Sequence, residues 1–535
     1  MSSAVEAAGA VSVSSSGFPL LLALLLVPLV GSLVVAFLRR SDQLAKWVTM
    51  GFAGVELVLA LVALGVYHAS GARIQLSGSA DWIPGLGVKL AFGVDGIALI
   101  MLVMISIIVP VVIGASWADK LPEGRSAAGF FSLVLVLQAL VIGVFSATDL
   151  FVFYVLFEVM LIPMYFLIGN YGGARRQYAA MKFFLYSFLG GLLMLASVIG
   201  CWAYAQSVTG TGTTDWATLT TLVSHAPKST QIWLFMGFFF AFAIKAPLVP
   251  FHTWLPDATA EAPIGVGVIL VGVLDKVGIF GFLRYSLPLT PEASKTLAPL
   301  LLVLAVAGIL YGAMLAAGQS DMKRFIAYVS IAHFGFMALG VFAFTQQSVV
   351  GAATYMFNHS IATGMLLLVI GMIAVRGRSV LVEDYGGMFK VTPLLGGLFL
   401  LAGLSAMSLP GTNSFISEFL VLLGAFPTEP VYTILGAVGM ILAALYVLWL
   451  YQRIMTGAVR GNALVSVAGG PGAAQDPAVG AKRGIHDLSA RERWVLAPLI
   501  VIILVVGFFP KPLLDIVGPS VSATLTSISS VQGGR

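Results

Sequence analysis

The stretch Trp233-Leu-Phe-Met-Gly-Phe-Phe-Phe-Ala-Phe-Ala-Ile-Lys245-Ala-Pro247-Leu-Val-Pro250 sets one ammonium group inside an apolar run fit to lie in lipid. Inserting a charged amine at that depth costs several kcal/mol, so a residue of this kind marks an ion path by default. Pro247 and Pro250 follow at once and cannot continue a helix, which frees backbone carbonyls for hydration. A lysine beside such a break can gain and lose its proton near neutrality. The segment therefore predicts a membrane protein that moves protons or cations.

Composition agrees. Of 535 residues, 59% are hydrophobic and 10% charged, against about 25% charged in a soluble domain, and mean hydropathy is +1.01. The predicted fold class is all-α: a polytopic membrane protein with no large water-soluble domain. Cys201 is the single cysteine, which excludes a disulfide framework, an iron–sulfur cluster and a thiolate zinc site. No Walker lysine, glycine-rich nucleotide loop or haem-attachment motif occurs, so no cofactor, metal or redox centre is expected on this chain. The net charge of +5 sits in loops between apolar runs, the pattern of a membrane protein and not of a nucleic-acid binder. The first apolar run begins near Phe18 and is followed by Arg39 and Arg40, not by a small-residue cleavage site. It reads as a retained span.

At roughly 20 apolar residues per span, about fourteen spans are expected: 17–38, 46–68, 92–115, 128–147, 149–170, 179–206, 231–252, 264–286, 297–317, 323–345, 349–375, 393–424, 431–457 and 493–513. With the N-terminus outside, nineteen of the 28 lysines and arginines fall in inner loops and seven, Arg284 among them, in outer ones. That bias predicts both termini outside. Residues 69–91 and 207–230 read as polar outer loops, and 461–490 as a flexible inner loop. Spans four to eight and nine to thirteen form two sets of five that start on opposite sides. Their fourth members, the seventh and twelfth spans, carry breakers: Pro247 with Pro250, and Pro410-Gly411. Matched broken spans in two inverted repeats predict an ion path between them. The units expected are 1–127, 128–290, 291–460 and 461–535.

Further ionisable residues lie inside the spans. Glu158, in Phe157-Glu158-Val-Met-Leu-Ile-Pro163, is expected to pair with Lys245, since a lysine lets a buried carboxylate ionise. Lys276 follows Asp275, but adjacent helical positions point about 100° apart, so Asp275 is assigned a separate environment, at the outer face, with structural and functional roles equally open. His333 and His359 suit a proton relay or a hydrogen-bonded packing role; neither has metal-ligand spacing. Glu418 follows the second break and is placed to release a proton outward. Glu56 has no evident partner, Asp95 and Asp149 mark span ends, and Asp257 with Glu261 is a candidate entrance. A carboxylate, two lysines, histidines and a carboxylate in separate spans let charge hop laterally. Moving one charge against 100 mV costs about 2.3 kcal/mol, within the range that burial and pairing supply.

These segments also carry a resemblance. Phe157-Glu158-Val-Met-Leu-Ile-Pro163-Met-Tyr165, Lys245-Ala-Pro247-Leu-Val-Pro250-Phe-His252-Thr-Trp254-Leu-Pro256-Asp257, Asp321-Met-Lys323-Arg324-Phe-Ile-Ala-Tyr328-Val-Ser330 and Ser408-Leu-Pro410-Gly411 resemble the antiporter-like subunits of respiratory complex I, bacterial NADH–quinone oxidoreductase. The chain looks most like their M branch: Glu418 stands where subunits L and N usually carry lysine, and no long lateral helix is expected after the last span. The resemblance implies a proton path through Glu158, Lys245, Lys276 and Glu418, assisted by His333 and His359. It implies quinone reduction elsewhere as the driving event, and flavin and iron–sulfur clusters in partner subunits. The partners implied are the neighbouring membrane subunits, L and N among them, in the lipid bilayer of the bacterial cytoplasmic membrane. Two departures stand out: Thr259 where the family often has histidine, and Asp275 where an apolar residue is usual. A subunit of a sodium/proton antiporter or of a membrane-bound hydrogenase is the alternative, and a passive scaffold is disfavoured because it needs no buried lysines.

Overall fold

The computed structural model describes residues 11–15, 17–464 and 485–533. Most of the expected inner loop 461–490 lies outside them. Helices α1 (Phe18–Phe37) and α2 (Asp42–Val66) lead to a two-stranded antiparallel hairpin, β1 (Gln75–Ile83) and β2 (Val88–Val94). This corrects the reading of 69–91 as irregular loop and adds a β element to the all-α class. Next come α3 (Gly96–Ala115), α4 (Ala127–Ser146), α5 (Leu150–Val159), α6 (Leu161–Tyr171), α7 (Arg176–Thr209), the short α8 (Trp216–Val223) within the second outer loop, α9 (Lys228–Lys245) and α10 (Trp254–Glu261). A continuous helix, α11, spans Ile264–Leu289 and contains two π-helical segments, Leu270–Leu274 and Phe282–Ser286. After it follow α12 (Pro291–Ala317), α13 (Met322–Phe342), α14 (Gln346–Gly377), α15 (Pro393–Ala406), α16 (Asn413–Ala425), α17 (Pro430–Met455), α18 (Ala490–Phe508) and α19 (Lys511–Gly533).

Eleven helices among the described residues are long and apolar enough to cross a membrane, or twelve if α18 and α19, bent 73° at their junction, count as one. The shortfall from about fourteen has a physical reason. The seventh and twelfth runs are each cut by their prolines, leaving α9 with α10 and α15 with α16 as pieces too short or too polar to qualify alone. The α19 helix was not foreseen.

Helix starts follow local capping. Asp95 accepts from the Ala98 amide at 2.8 Å, Asp149 from Phe151 and Val152 at 2.9 and 3.1 Å, and Asp321 from Lys323 and Arg324 at 2.7 and 3.0 Å. Asp95 and Asp149 are therefore caps that position the core helices. Burial sorts the helices into centre and rim: α11 is wholly buried, α13 94% and α14 83%, against 33% for α1 and 28% for α2. With no hydrophobic drive between helices in lipid, close packing rests on small residues. At Gly278 of α11 an added Cβ would lie 2.5 Å from the Ala246 amide nitrogen and 2.5 Å from the Phe242 carbonyl oxygen, so α11 meets the end of α9 backbone to backbone.

Candidate functional site

The two breaks are built alike. After α9 ends at Lys245, the Ala246 amide bonds the Phe242 carbonyl and the Leu248 amide reaches back five residues to Ala243, at 2.9 Å. After α15 ends at Ala406, the Met407 amide bonds Gly403 and the Leu409 amide reaches five back to Leu404, at 3.0 Å. Lys245 is thus the counterpart of Ala406, and Glu418 sits within the helix that follows the second break, not at the break itself.

Glu158 lies near the end of α5, where Pro163 withholds the amide that would continue the ladder into α6. Its two carboxylate oxygens are buried with no hydrogen-bond partner among the described residues. Gly191 of α7 leaves room for them: a Cβ there would overlap the carboxylate. The expected Glu158–Lys245 ion pair is not formed. Each lies in the other's electrostatic field, but no ion pair joins them within 4.0 Å. The Lys245 ammonium is fully buried between the faces of Phe157 and Phe183, 5.3 and 5.1 Å from their centroids. Aromatic quadrupoles hold a cation there without fixing it to one anion.

Lys276 faces the other way. Its ammonium donates to the Val271 carbonyl at 2.5 Å and to Nδ1 of His359 at 2.7 Å, and stands 4.9 Å over the Phe334 ring. The π segment directly before it leaves the Val271 carbonyl free of the regular helical ladder, the arrangement often met where helices do chemistry. His359 lies edge-on to His333 with centroids 5.1 Å apart, and His333 lies 5.7 Å from the Tyr355 ring. Nε2 of His359 has no partner among the described residues; His333 makes no side-chain hydrogen bond and faces the Ala406 backbone at the second break. The Tyr355 hydroxyl donates to Glu418 Oε2 at 3.1 Å, and the Ser408 hydroxyl donates to the same oxygen. Behind Glu418, Ser417 takes a hydrogen bond from Asn358 at 2.7 Å, and Asn413 accepts from Ser405 at 2.7 Å.

The structure thus brings Lys276, His359, His333 and Glu418 into one buried line through Tyr355, and sets Glu158 and Lys245 behind it. Tyr355 and Ser408 escaped the sequence reading. The signals were there: Tyr355 is four residues before His359 on one helical face, and Ser408 sits beside Pro410. Asp275 is not at an outer face; it is fully buried, its oxygens unpaired, among the charges of Lys276 and Lys245.

Arg284, Asp257 and Glu261 resolve into structural roles. Arg284, expected in an outer loop, is buried and bonds Asp95 at 2.8 Å, with Trp216 donating to its carbonyl. Asp257 binds Lys182 at 2.8 Å and Arg324 at 2.5 Å, and Glu261 accepts from the Arg175 amide at 2.8 Å. Both carboxylates tie α10 to neighbouring helices. Burial would push the Asp257 carboxyl up, but the Lys182 ammonium and Arg324 guanidinium outweigh it and hold it below the usual range. Glu56 is buried on the small-residue stripe of α2 with both oxygens unpaired. No group of three metal-ligating side chains occurs among the described residues.

The family model for the transmembrane region of NADH:quinone oxidoreductase and Mrp antiporters matches residues 147–448, which include all six expected site residues. The chain is 41% identical to NADH-quinone oxidoreductase subunit M of Mycobacterium tuberculosis, over 95% of this chain and 94% of that one. It is 36% identical to subunit M of Rhodobacter capsulatus, over 93% and 94%. Among solved structures it resembles a chain of respiratory complex I from Thermus thermophilus, with TM-score 0.82, 30% identity and coverage of 95% and 99%. A chain of the Mrp complex from Dietzia sp. DQ12-45-1b shares the fold at TM-score 0.81 and 22% identity, over 95% and 98%.

Proposed function

Because the chain belongs to the NADH:quinone oxidoreductase/Mrp antiporter transmembrane family, in the subunit M lineage of NADH-quinone oxidoreductase, we propose that its buried line of side chains carries protons when quinone is reduced in other subunits. The chain is a multi-pass membrane subunit of respiratory complex I, a redox-driven translocase. The reading of its own residues rests on one observation above the rest: Lys276, His359, His333, Tyr355 and Glu418 stand in sequence, with hydrogen bonds of 2.7 Å at Lys276–His359 and 3.1 Å at Tyr355–Glu418 and ring centroids 5.1 and 5.7 Å apart between them.

The chemistry follows from the donors and acceptors. When Lys276 is protonated its ammonium donates to Nδ1 of His359, and the neutral imidazole is then the Nε2–H tautomer. Passing a proton onward needs only small movements, or waters, between His359, His333 and Glu418 at mid-membrane depth. Lys245 and Glu158 form the input side. A proton gained or lost at Glu158 changes the field at Lys245, and an effective dielectric far below that of water carries the change to the next charge. Each charge moved against 100 mV requires about 2.3 kcal/mol.

The coarse architecture extends in the same direction. Alike closures at the two breaks support two inverted five-helix units, about 128–290 and 291–460, within about fourteen spans counting each broken helix once. The charge bias supports both termini outside the bacterial cytoplasmic membrane. Subunits L and N are the proposed neighbours, with flavin and iron–sulfur clusters in partner subunits.

The test is Lys245→Ala and Glu158→Ala in the assembled complex. Both should keep subunit content and NADH oxidation by an artificial acceptor, and lose most quinone-coupled turnover. Normal proton uptake into inside-out vesicles of both variants refutes the reading.

A further inference from the structure

We propose that Asp275 is a proton-carrying bridge between Lys245 and Lys276, so that transfer between the two lysines passes through a carboxylate. The inference rests on the proton path above and adds a residue to it. Asp275, Gly278 and Phe282 recur at i, i+3 and i+7 on α11, which puts them on one helical face. The other two members of that face touch α9. Gly278 packs on the backbone of Phe242 and Ala246, and Phe282 stacks edge-on against Phe242 at 5.5 Å. Because α11 and α9 run in opposite directions here, the next position along the face, Asp275, comes opposite the break that begins at Lys245. Lys276 is turned about 100° away and meets α14 at His359. The face of α11 that packs on α9 thus carries Asp275 toward the Lys245 break, while the amine of Lys276 turns to the histidines.

The surroundings fit a carrier and not a structural pair. Asp275 is fully buried and neither oxygen has a hydrogen-bond partner among the described residues. A buried carboxylate kept only for structure is normally satisfied by donors; compare Asp149 on the outer side, which takes bonds from Thr214, Lys89, Phe151 and Val152. The charged groups whose fields reach Asp275 are Lys245 on α9 and Lys276 on its own helix.

The transfer balances. With neither lysine within 4.0 Å of it, the carboxylate takes the Lys245 proton after a side-chain swing or through a bridging water, leaving a neutral amine and a carboxylic acid. The acid then protonates the Lys276 amine, restoring the carboxylate and forming the ammonium that donates to His359. No other reactant enters. Between two lysines the carboxylate also lowers the cost of holding both cations in one low-dielectric space.

The test uses Asp275→Asn, which keeps the shape and cannot carry the proton, and Asp275→Glu, which can. Both are made in the complete complex, with assembly checked by NADH oxidation through an artificial acceptor. Asp275→Asn should lower coupled turnover and vesicle proton uptake about tenfold or more, a modest share of what removing a proton-transfer group costs. It should also flatten the pH profile of turnover, and Asp275→Glu should restore both. An assembled Asp275→Asn complex with wild-type proton uptake and pH profile overturns the proposal. So does loss of activity that Asp275→Glu, equally assembled, fails to recover, since that marks a packing role. If Asp275→Asn pumps normally while Lys245→Ala does not, the bridge falls and the wider path stands; if Lys245→Ala pumps normally, the path itself falls.

Discussion

Replacing Gly278 by alanine should uncouple the subunit by displacing one helix by less than an ångström. Alanine is the better helix former by about 0.8–1 kcal/mol, so on α11 alone the change is favourable. The added Cβ, however, would stand 2.5 Å from the Ala246 nitrogen, 2.5 Å from the Phe242 oxygen and 2.6 Å from the Ala246 Cβ, where ordinary contact begins at 3.4 Å. Two of these neighbours are backbone atoms and cannot swing aside. The helices must part by about 0.9 Å at this point. Overpacking of this kind costs about 1–3 kcal/mol, which a chain with so many buried helices can absorb. The functional cost is larger, because a misplacement near 1 Å in a reacting array lowers the rate by roughly 100-fold. Asp275 and Lys276 move with the helix, away from Lys245. Gly272 is the control: an added Cβ there meets only Ser360, at 3.7 and 4.0 Å. In inside-out vesicles with equal assembled complex, Gly278→Ala should lose most proton uptake per NADH oxidised, and Gly272→Ala should keep it. Equal uptake by the two variants would falsify the claim that close approach of α9 and α11 sets the transfer geometry.

Two further outcomes are expected. Tyr355→Phe removes one of two side-chain donors to Glu418, a hydrogen bond worth about 0.5–1.5 kcal/mol; coupled turnover should fall severalfold while quinone affinity is unchanged, and a variant equal to wild type in both would remove Tyr355 from the path. Asp257→Asn should lower the melting temperature of the solubilised complex. The native carboxyl lies below its ordinary range, so its contribution is complete above the unfolded value near 4 and fades as pH falls through the lower native value. The deficit should therefore be constant from pH 6 to 8, and a deficit that changes across that window would contradict the pairing with Lys182 and Arg324.

Much of this protein could be read from the chain because lipid leaves few choices. A span must bury its backbone polar groups in a helix, so run length and proline position gave the helices, the two breaks and the intramembrane charges at Glu158, Lys245, Lys276, His333, His359 and Glu418. What the chain left open depends on which faces of different helices meet. Periodicity does not state that Lys245 rests between Phe157 and Phe183, that Tyr355 bridges His333 and Glu418, or that Arg284 is drawn inward by Asp95. The hairpin of residues 75–94 escaped for a related reason: among the described residues its strands pair with each other and, at Phe92, with Ala147 far along the chain, and its polar, glycine-bearing sequence lacks a clean alternation. Asp275 shows the division most clearly. Its neighbour in sequence is Lys276, but the turn of about 100° between adjacent helical positions separates the two, and the sequence does not say what Asp275 meets instead. Gly278, on the same face, brings α11 into backbone contact with the end of α9, and a contact between segments more than thirty residues apart is decided by packing in three dimensions.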